Sequence, residues 1–256
     1  MPVVQTVHEA PWRHGARENA GSIHQLWARL GRVRAALVVT PSARVARDLG
    51  EHRKLRVVPW AVDAAFFQDL DAGPSIDSQA KLLAALPGLP RGAFVLCLGG
   101  TRPKKRLDLV LEAAASLGTP VICTGPETPE ALALAAIHPH LILAGVVADA
   151  LLPALIRAAG CVAILSTSEG FGLPALEALA VGTPVVVPVD SVQAETSAGF
   201  GIEVDPKVPG AIEAGIAEAL ACPANGPRRT EGSAHAATFT WERTADALAS
   251  HWRTLL

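Results

Sequence analysis

Residues 166–185 read STSEGFGLPALEALAVGTPV, and the five residues before them, CVAIL at 161–165, are wholly apolar. An apolar run of this length that stops at Ser166 reads as a buried strand ending in a turn. Gly170 and Gly172 lie in that turn, and Pro174 follows where a helix can start, a position that tolerates its missing N–H. A further apolar run at 183–187 closes a strand–helix–strand unit. The free amides of Gly172 and Leu173 would then point out of the carboxyl edge of the sheet, where the helix dipole attracts phosphate.

Two carboxylates frame the turn, Glu169 before it and Glu177 one turn into the helix, with seven residues between them. Beside an anion site neither suits phosphate, because like charges repel. They suit hydroxyl groups, Glu169 accepting from a sugar and Glu177 from a ribose, so the spacing describes a ligand with hydroxyls on both sides of a diphosphate. The competing reading is a helix N-terminus decorated with acids to complement its dipole.

Outward from this unit, short apolar runs alternate with stretches of helical period, which predicts an α/β fold with a mostly parallel sheet. Candidate strands fall at 2–7, 36–40, 56–59, 94–98, 120–123, 141–144, 161–165 and 183–187. Within 107–117 the apolar positions 107, 110, 111, 114 and 117 recur at three and four, so one face packs on a sheet. A seam is expected between Asp63 and Gly92, where Gly73-Pro74-Ser75, Pro87-Gly88 and Pro90-Arg91-Gly92 interrupt any long element. The first lobe has three strand candidates, fewer than a complete doubly wound domain, whereas the lobe after the seam reads as complete. Thr240 is placed to N-cap a closing helix over 241–256.

The 256 residues suffice for two modest cores, and half of them are hydrophobic while 18% are charged. A formal charge of −2 offers no overall attraction for nucleic acid or an anionic bilayer. Cys97, Cys123, Cys161 and Cys222 show no metal-binding spacing, and three of them lie in strand-like runs; reduced thiols and a cytoplasmic protein are expected. Glu9, Arg13, Arg17 and Glu18 break up the N-terminus where a signal peptide needs an apolar stretch, and no run predicts a membrane span, leaving peripheral membrane contact as the sole kind expected.

A second constellation, LGGTRPKKRLD at 98–108, follows a candidate strand and puts four cations in five positions beside a Gly-Gly turn. Arg102, Lys104, Lys105 and Arg106 there would clamp a diphosphate from the side opposite the Glu169 turn; a solvated charge run is the alternative. Asp69-Leu70-Asp71 imitates a metal-binding DxD but has no strand before it, and His138-Pro139-His140 lacks further ligands at zinc-like spacing. No GxGxxG or GxxxxGK[ST] occurs, which excludes dinucleotide oxidoreductase and P-loop readings. The five tryptophans, Trp12, Trp27, Trp60, Trp241 and Trp252, read as core or interface packing.

Together these stretches resemble the donor domain of glycosyltransferase family 4, the GT-B group known as glycosyl transferases group 1. The family's E-x7-E signature is matched by Glu169 and Glu177, followed by Gly182-Thr183-Pro184-Val185. Residues 99–113 are similar to its phosphate-binding loop and helix, with Lys105 at the position of its lysine. Residues 141–165 resemble the segment lining the base pocket, with Gly145, Val146 and Val147 near the nucleobase, and 191–195 resemble the loop beyond the signature. The first 63 residues look like the end of the acceptor domain: Thr6-Val7-His8-Glu9 resembles the strand end that supplies an active-site histidine, and 58–63 the interdomain connection. Two departures stand out. Gly100 occupies the place where many relatives have Arg, so that Arg102 or Lys104 must substitute. The family's opening strands and glycine-rich acceptor loop have no counterpart.

The resemblance implies a Rossmann-like, doubly wound donor domain of GT-B type over 64–240, a partial N-terminal Rossmann-like lobe over 1–63, and a last helix, 241–256, crossing back to it. It implies metal-independent, retaining sugar transfer from a nucleoside diphosphate sugar to an unknown acceptor, with no further cofactor and no nucleic acid. Glu169, Lys105 and His8 would serve the reaction. Gly99, Gly100, Arg102, Lys105, Gly125, Val146, Val147, Glu169, Gly170, Phe171, Gly172, Leu173 and Glu177 would bind the donor. The alternative expectation is a non-catalytic nucleotide-sugar-binding protein whose first lobe is completed by a partner. Sugar-nucleotide epimerases of the same fold lack support, because their additional catalytic acids cannot be placed here. With a partial first lobe, little transferase activity alone and self-association or a covering partner are expected.

Overall fold

The alternation of apolar runs and helices builds two separate parallel sheets in the computed structural model, which describes residues 2–13, 22–50, 52–68, 76–224 and 226–255. The first sheet orders β1 (Val4–Thr6), β2 (Leu37–Thr40) and β3 (Leu55–Val57) side by side. The second contains β4 (Val95–Cys97), β5 (Val121–Cys123), β6 (Leu141–Leu143), β7 (Cys161–Ala163), β8 (Val185–Pro188) and β9 (Ile202–Val204). Its order is β6-β5-β4-β7-β8-β9, parallel throughout, so the chain reverses direction across the sheet between β4 and β7. In doubly wound sheets the crevice outside the carboxyl ends at that reversal is where ligands bind.

Each of the eight candidate strands overlaps an observed one. The ninth, β9, is a finding of the structure: Ile202 and Val204 are buried while Glu203 is exposed, and one alternation over three residues is too short a signal for periodicity to register.

The helices are α1 (Ser22–Arg34), α2 (Ala43–Leu49), α3 (Ile76–Ala85), α4 (Leu107–Ser116), α5 (Pro129–Ile137), α6 (Leu152–Ala158), α7 (Leu173–Ala180), α8 (Val192–Ser197), α9 (Ala211–Leu220), α10 (Pro227–Ala236) and α11 (Trp241–Arg253). Strand side chains alternate between faces, and both faces of the six-stranded sheet are covered. Phe94, Leu96, Ile122 and Val162 pack with Leu155, Leu176 and Leu179 of α6 and α7. On the other face Val95, Val121 and Cys161 pack with Leu111 of α4 and Ile216 of α9. Burying one such leucine or isoleucine stabilises the fold by about 1.5–3 kcal/mol. The result is that β4 feeds a helix on one face and β7 a helix on the other, which opens the crevice between their ends.

Cys97, Cys123 and Cys161 are buried in the sheet and Cys222 is half-buried, all as free thiols. Burial pushes the Cys161 thiol up to about 12 and that of Cys123 to about 11, which keeps both protonated.

The segment after the first sheet belongs to the second core, where Val62, Phe66 and Leu82 are buried. At the other end, Ala247, Leu248 and Leu255 pack on Leu37, Val39 and Val58 of the first lobe. The Thr244 hydroxyl of α11 donates to the Pro59 carbonyl at 2.8 Å. Arg17, Glu18, Asp69, Asp71 and the 73–75 turn lie outside the described residues. Among the described residues no helix is long and apolar enough to cross a membrane.

Candidate functional site

Three loops at the carboxyl edge meet backbone to backbone. After β4 the chain turns through Gly99 and Gly100, whose amide donates to the Thr124 carbonyl at 2.6 Å. The loops after β5 and β6 are joined by the Gly125 amide donating to the Gly145 carbonyl at 2.8 Å. Gly125 has φ +133°, and a Cβ there would stand 2.7 Å from the Gly100 Cα, so this crossing accepts no side chain. Such bare backbone at a sheet edge allows close approach by a ligand.

From this floor a short 3-10 turn, Pro103–Lys105, leads into α4 and carries the cations. The Lys105 ammonium donates to the Glu169 carboxylate at 2.8 Å, and both side chains are less than one-fifth exposed. Burial alone would raise the Glu169 acid. The Lys105 charge and hydrogen bond, the neighbouring Ser166 hydroxyl and Lys104 outweigh it and hold the carboxyl below its ordinary value. Lys105, in the loop after β4, thus meets Glu169, in the loop after β7, across the crevice between the two strand ends. The other three cations diverge: Lys104 reaches Glu9 of the first lobe at 3.6 Å, Arg106 pairs with Asp108, and Arg102 is exposed where the turn begins.

Beyond Glu169, Phe171 is buried in the core and Gly172, with φ +83°, is the N-cap of α7. Pro174 sits in the first turn, and the Leu173 amide at the helix start has no intrahelical acceptor. Glu177 lies on this helix beside the loop after β6; burial and, secondarily, the Asp149 charge raise its carboxyl to about 7. In that loop Val146 is 80% exposed and Val147 packs against the core.

The first lobe closes the crevice from above. The His8 ring lies 5.1 Å from that of Trp60, and Trp60 lies 6.0 Å from Phe171. A Cβ on Gly170 would stand 2.2 Å from the His8 carbonyl oxygen, so the two lobes touch at the residue after Glu169. The structure therefore gathers His8, Lys105, Glu169, Gly170 and the start of α7. It adds Asp149 beside Glu177, Ser42, whose hydroxyl donates to the Gly170 carbonyl at 2.8 Å, and Glu195, which accepts from the Ala43 amide at 2.7 Å; sequence reasoning did not single these out as site residues. Beside Glu169 a cavity of about 130 Å³ opens between the loops after β7 and β8, bordered by Arg44 of the first lobe. His140 is accounted for structurally, its ring Nε2 lying 3.0 Å from the Leu111 carbonyl. Among the described residues no cluster of three His, Cys, Asp or Glu side chains could hold a metal ion.

Residues 87–236, more than half of the chain, match the family described as glycosyl transferases group 1. D-inositol 3-phosphate glycosyltransferase of Mycobacterium avium is 36% identical over 208 residues, 72% of this chain and 47% of that protein. The protein of the same name from Salinispora arenicola is 33% identical over 287 residues, 97% of this chain and 62% of its own length. The chain thus spans about half the length of the curated relatives it matches. Among solved structures, sucrose-phosphate synthase from Thermosynechococcus elongatus superposes with a TM-score of 0.81 at 20% identity, covering 98% of this chain and 67% of that one. Anabaena Alr3699/HepE in complex with UDP and glucose gives 0.78 at 19% identity, covering 99% and 72%.

Proposed function

The chain belongs to the glycosyl transferases group 1, and from that premise we propose that it forms the donor side of a retaining glycosyltransferase that uses a nucleoside diphosphate sugar. What carries this reading is the meeting of Lys105 and Glu169 at the strand-order reversal between β4 and β7, with the Leu173 amide at the start of α7 beside them. Relatives and fold neighbours bearing the names of glycosyltransferases and synthases favour catalysis over binding alone. The UDP and glucose held by a protein of the same fold support the donor class.

Before the donor arrives, Glu169 keeps the Lys105 ammonium paired inside the crevice. An incoming diphosphate takes over the ammonium as its own counter-charge, and the released carboxylate accepts hydrogen bonds from the sugar hydroxyls, which orients the ring. Glu177 faces the ribose and the loop at 145–147 the base. As transfer proceeds, the acceptor oxygen bonds to the anomeric carbon on the face from which the phosphate oxygen departs. The acceptor proton passes to the departing diphosphate, and Lys105 and the start of α7 stabilise its charge without a metal ion. His8 faces the reacting sugar from the first lobe.

Titration calorimetry with UDP-, GDP- and ADP-sugars in a chelator tests the assignment. Lys105→Ala is expected to weaken binding by about 1.5–3 kcal/mol, the worth of a charge-assisted hydrogen bond. Unchanged affinity, or binding only with added Mn2+, would reject the site. Glu177→Ala should reduce affinity for free nucleotide and nucleotide-sugar alike, whereas Glu169→Ala should remove mainly what the sugar adds. Equal losses for both ligands in both variants would mean that the acids only complement the helix dipole.

A further inference from the structure

The N-terminus of α2 is capped from the other lobe. Its first two amides, Ala43 and Arg44, donate to the two carboxylate oxygens of Glu195 in α8, each at 2.7 Å. The next, Val45, donates to the hydroxyl of its own N-cap, Ser42, at 3.2 Å. That hydroxyl in turn donates to the Gly170 carbonyl at 2.8 Å, next to Glu169 in the sugar-facing turn. Arg44 completes the contact by donating to the Asp190 carbonyl and carboxylate. α8 does not need Glu195 for itself, because Ser191 caps it by accepting from the Ala194 amide at 3.0 Å.

We propose that Glu195 is a positioning residue, a latch that seats α2 of the first lobe against the donor crevice and so fixes the Gly170 carbonyl beneath His8. The proposal rests on the donor reading above. The physical basis is a bidentate, charge-assisted contact at the positive end of a helix dipole, made by a carboxylate still 29% exposed. All partners can be hydrated when the lobes part, so the contact is reversible. Since Ser42 both caps α2 and holds the turn after Glu169, closing the lobes and seating the sugar on that turn are one event. The nucleoside and diphosphate, held by the second lobe alone, do not depend on it.

Two variants remove the latch from opposite sides. Glu195→Ala deletes the carboxylate. Ala43→Pro deletes one amide from the other lobe while leaving α2 intact, since proline is favoured at the first helical position and the extended Ser42 before it (φ −143°, ψ 156°) already suits a following proline. Small-angle scattering should show a larger radius of gyration for each, with no further increase in the double variant. In calorimetry the free nucleoside diphosphate should bind within about twofold of the parent, while the nucleotide-sugar loses about tenfold or more, the scale of one charge-assisted bond. Parent-like scattering in both single variants, or equal loss of affinity for both ligands, would overturn the latch. If the parent chain binds no nucleotide-sugar, the donor reading fails, and the scattering comparison still decides whether Glu195 holds the lobes together.

Discussion

At Glu177, burial and the Asp149 charge raise the side-chain acid to about 7, while the Lys105 pair holds Glu169 below its usual range. Two carboxylates with seven residues between them therefore differ in charge near neutrality. A folded-state acid raised above its unfolded value of 4.5 contributes stability that is fully present below that value and is lost as pH rises through about 7. Urea unfolding should show the parent losing about 2 kcal/mol more than Glu177→Gln between roughly pH 5.5 and 8, since a tenfold change in proton affinity is worth about 1.4 kcal/mol. Parallel pH profiles for the two proteins would show that Glu177 is ordinarily solvated. Spacing in the sequence identified both acids as a pair. Their opposite shifts depend on Asp149 and Lys105, which approach from other loops.

At the level of elements, the turn from β7 into α7 carries the most constraint. Its glycines are visible in the sequence as a turn before a helix, but only the packed structure gives a reason for glycine at 170, where a Cβ would meet the His8 carbonyl at 2.2 Å. Gly170→Ala should cost about 1–3 kcal/mol of unfolding free energy by forced overpacking. Gly88→Ala, where a Cβ meets nothing within 4 Å, should stay within about 0.5 kcal/mol. Denaturant midpoints for the two variants check this, and similar values would mean that the lobes give way freely at this contact. The strand β9 escaped the sequence for a related reason: three residues hold one alternation, and it is the neighbouring β8 that makes them a strand.

For the molecule as a whole, the first sheet presents β1 at its edge, paired among the described residues with β2 alone. Above it α1 exposes Leu26, Trp27, Leu30 and Val33. An open strand edge beside an apolar helix face favours association, so light scattering should report a mass above that of one chain, and Trp27→Glu with Val33→Glu should return it to one. A parent that scatters as a single chain at high concentration would remove this expectation. The sequence by itself determined the alternation of strands and helices, the glycine-containing turns and the paired acids, because apolar period, glycine and proline act within a few residues of themselves. Tertiary structure decided which loops share the crevice. Parallel strands are joined by crossovers, and local pattern does not say which strand lies beside which. Thus Lys105 meets Glu169 across 64 residues, and Glu195 meets the Ala43 amide across 152, through the order in which the sheet assembles and the way the first lobe seats upon it.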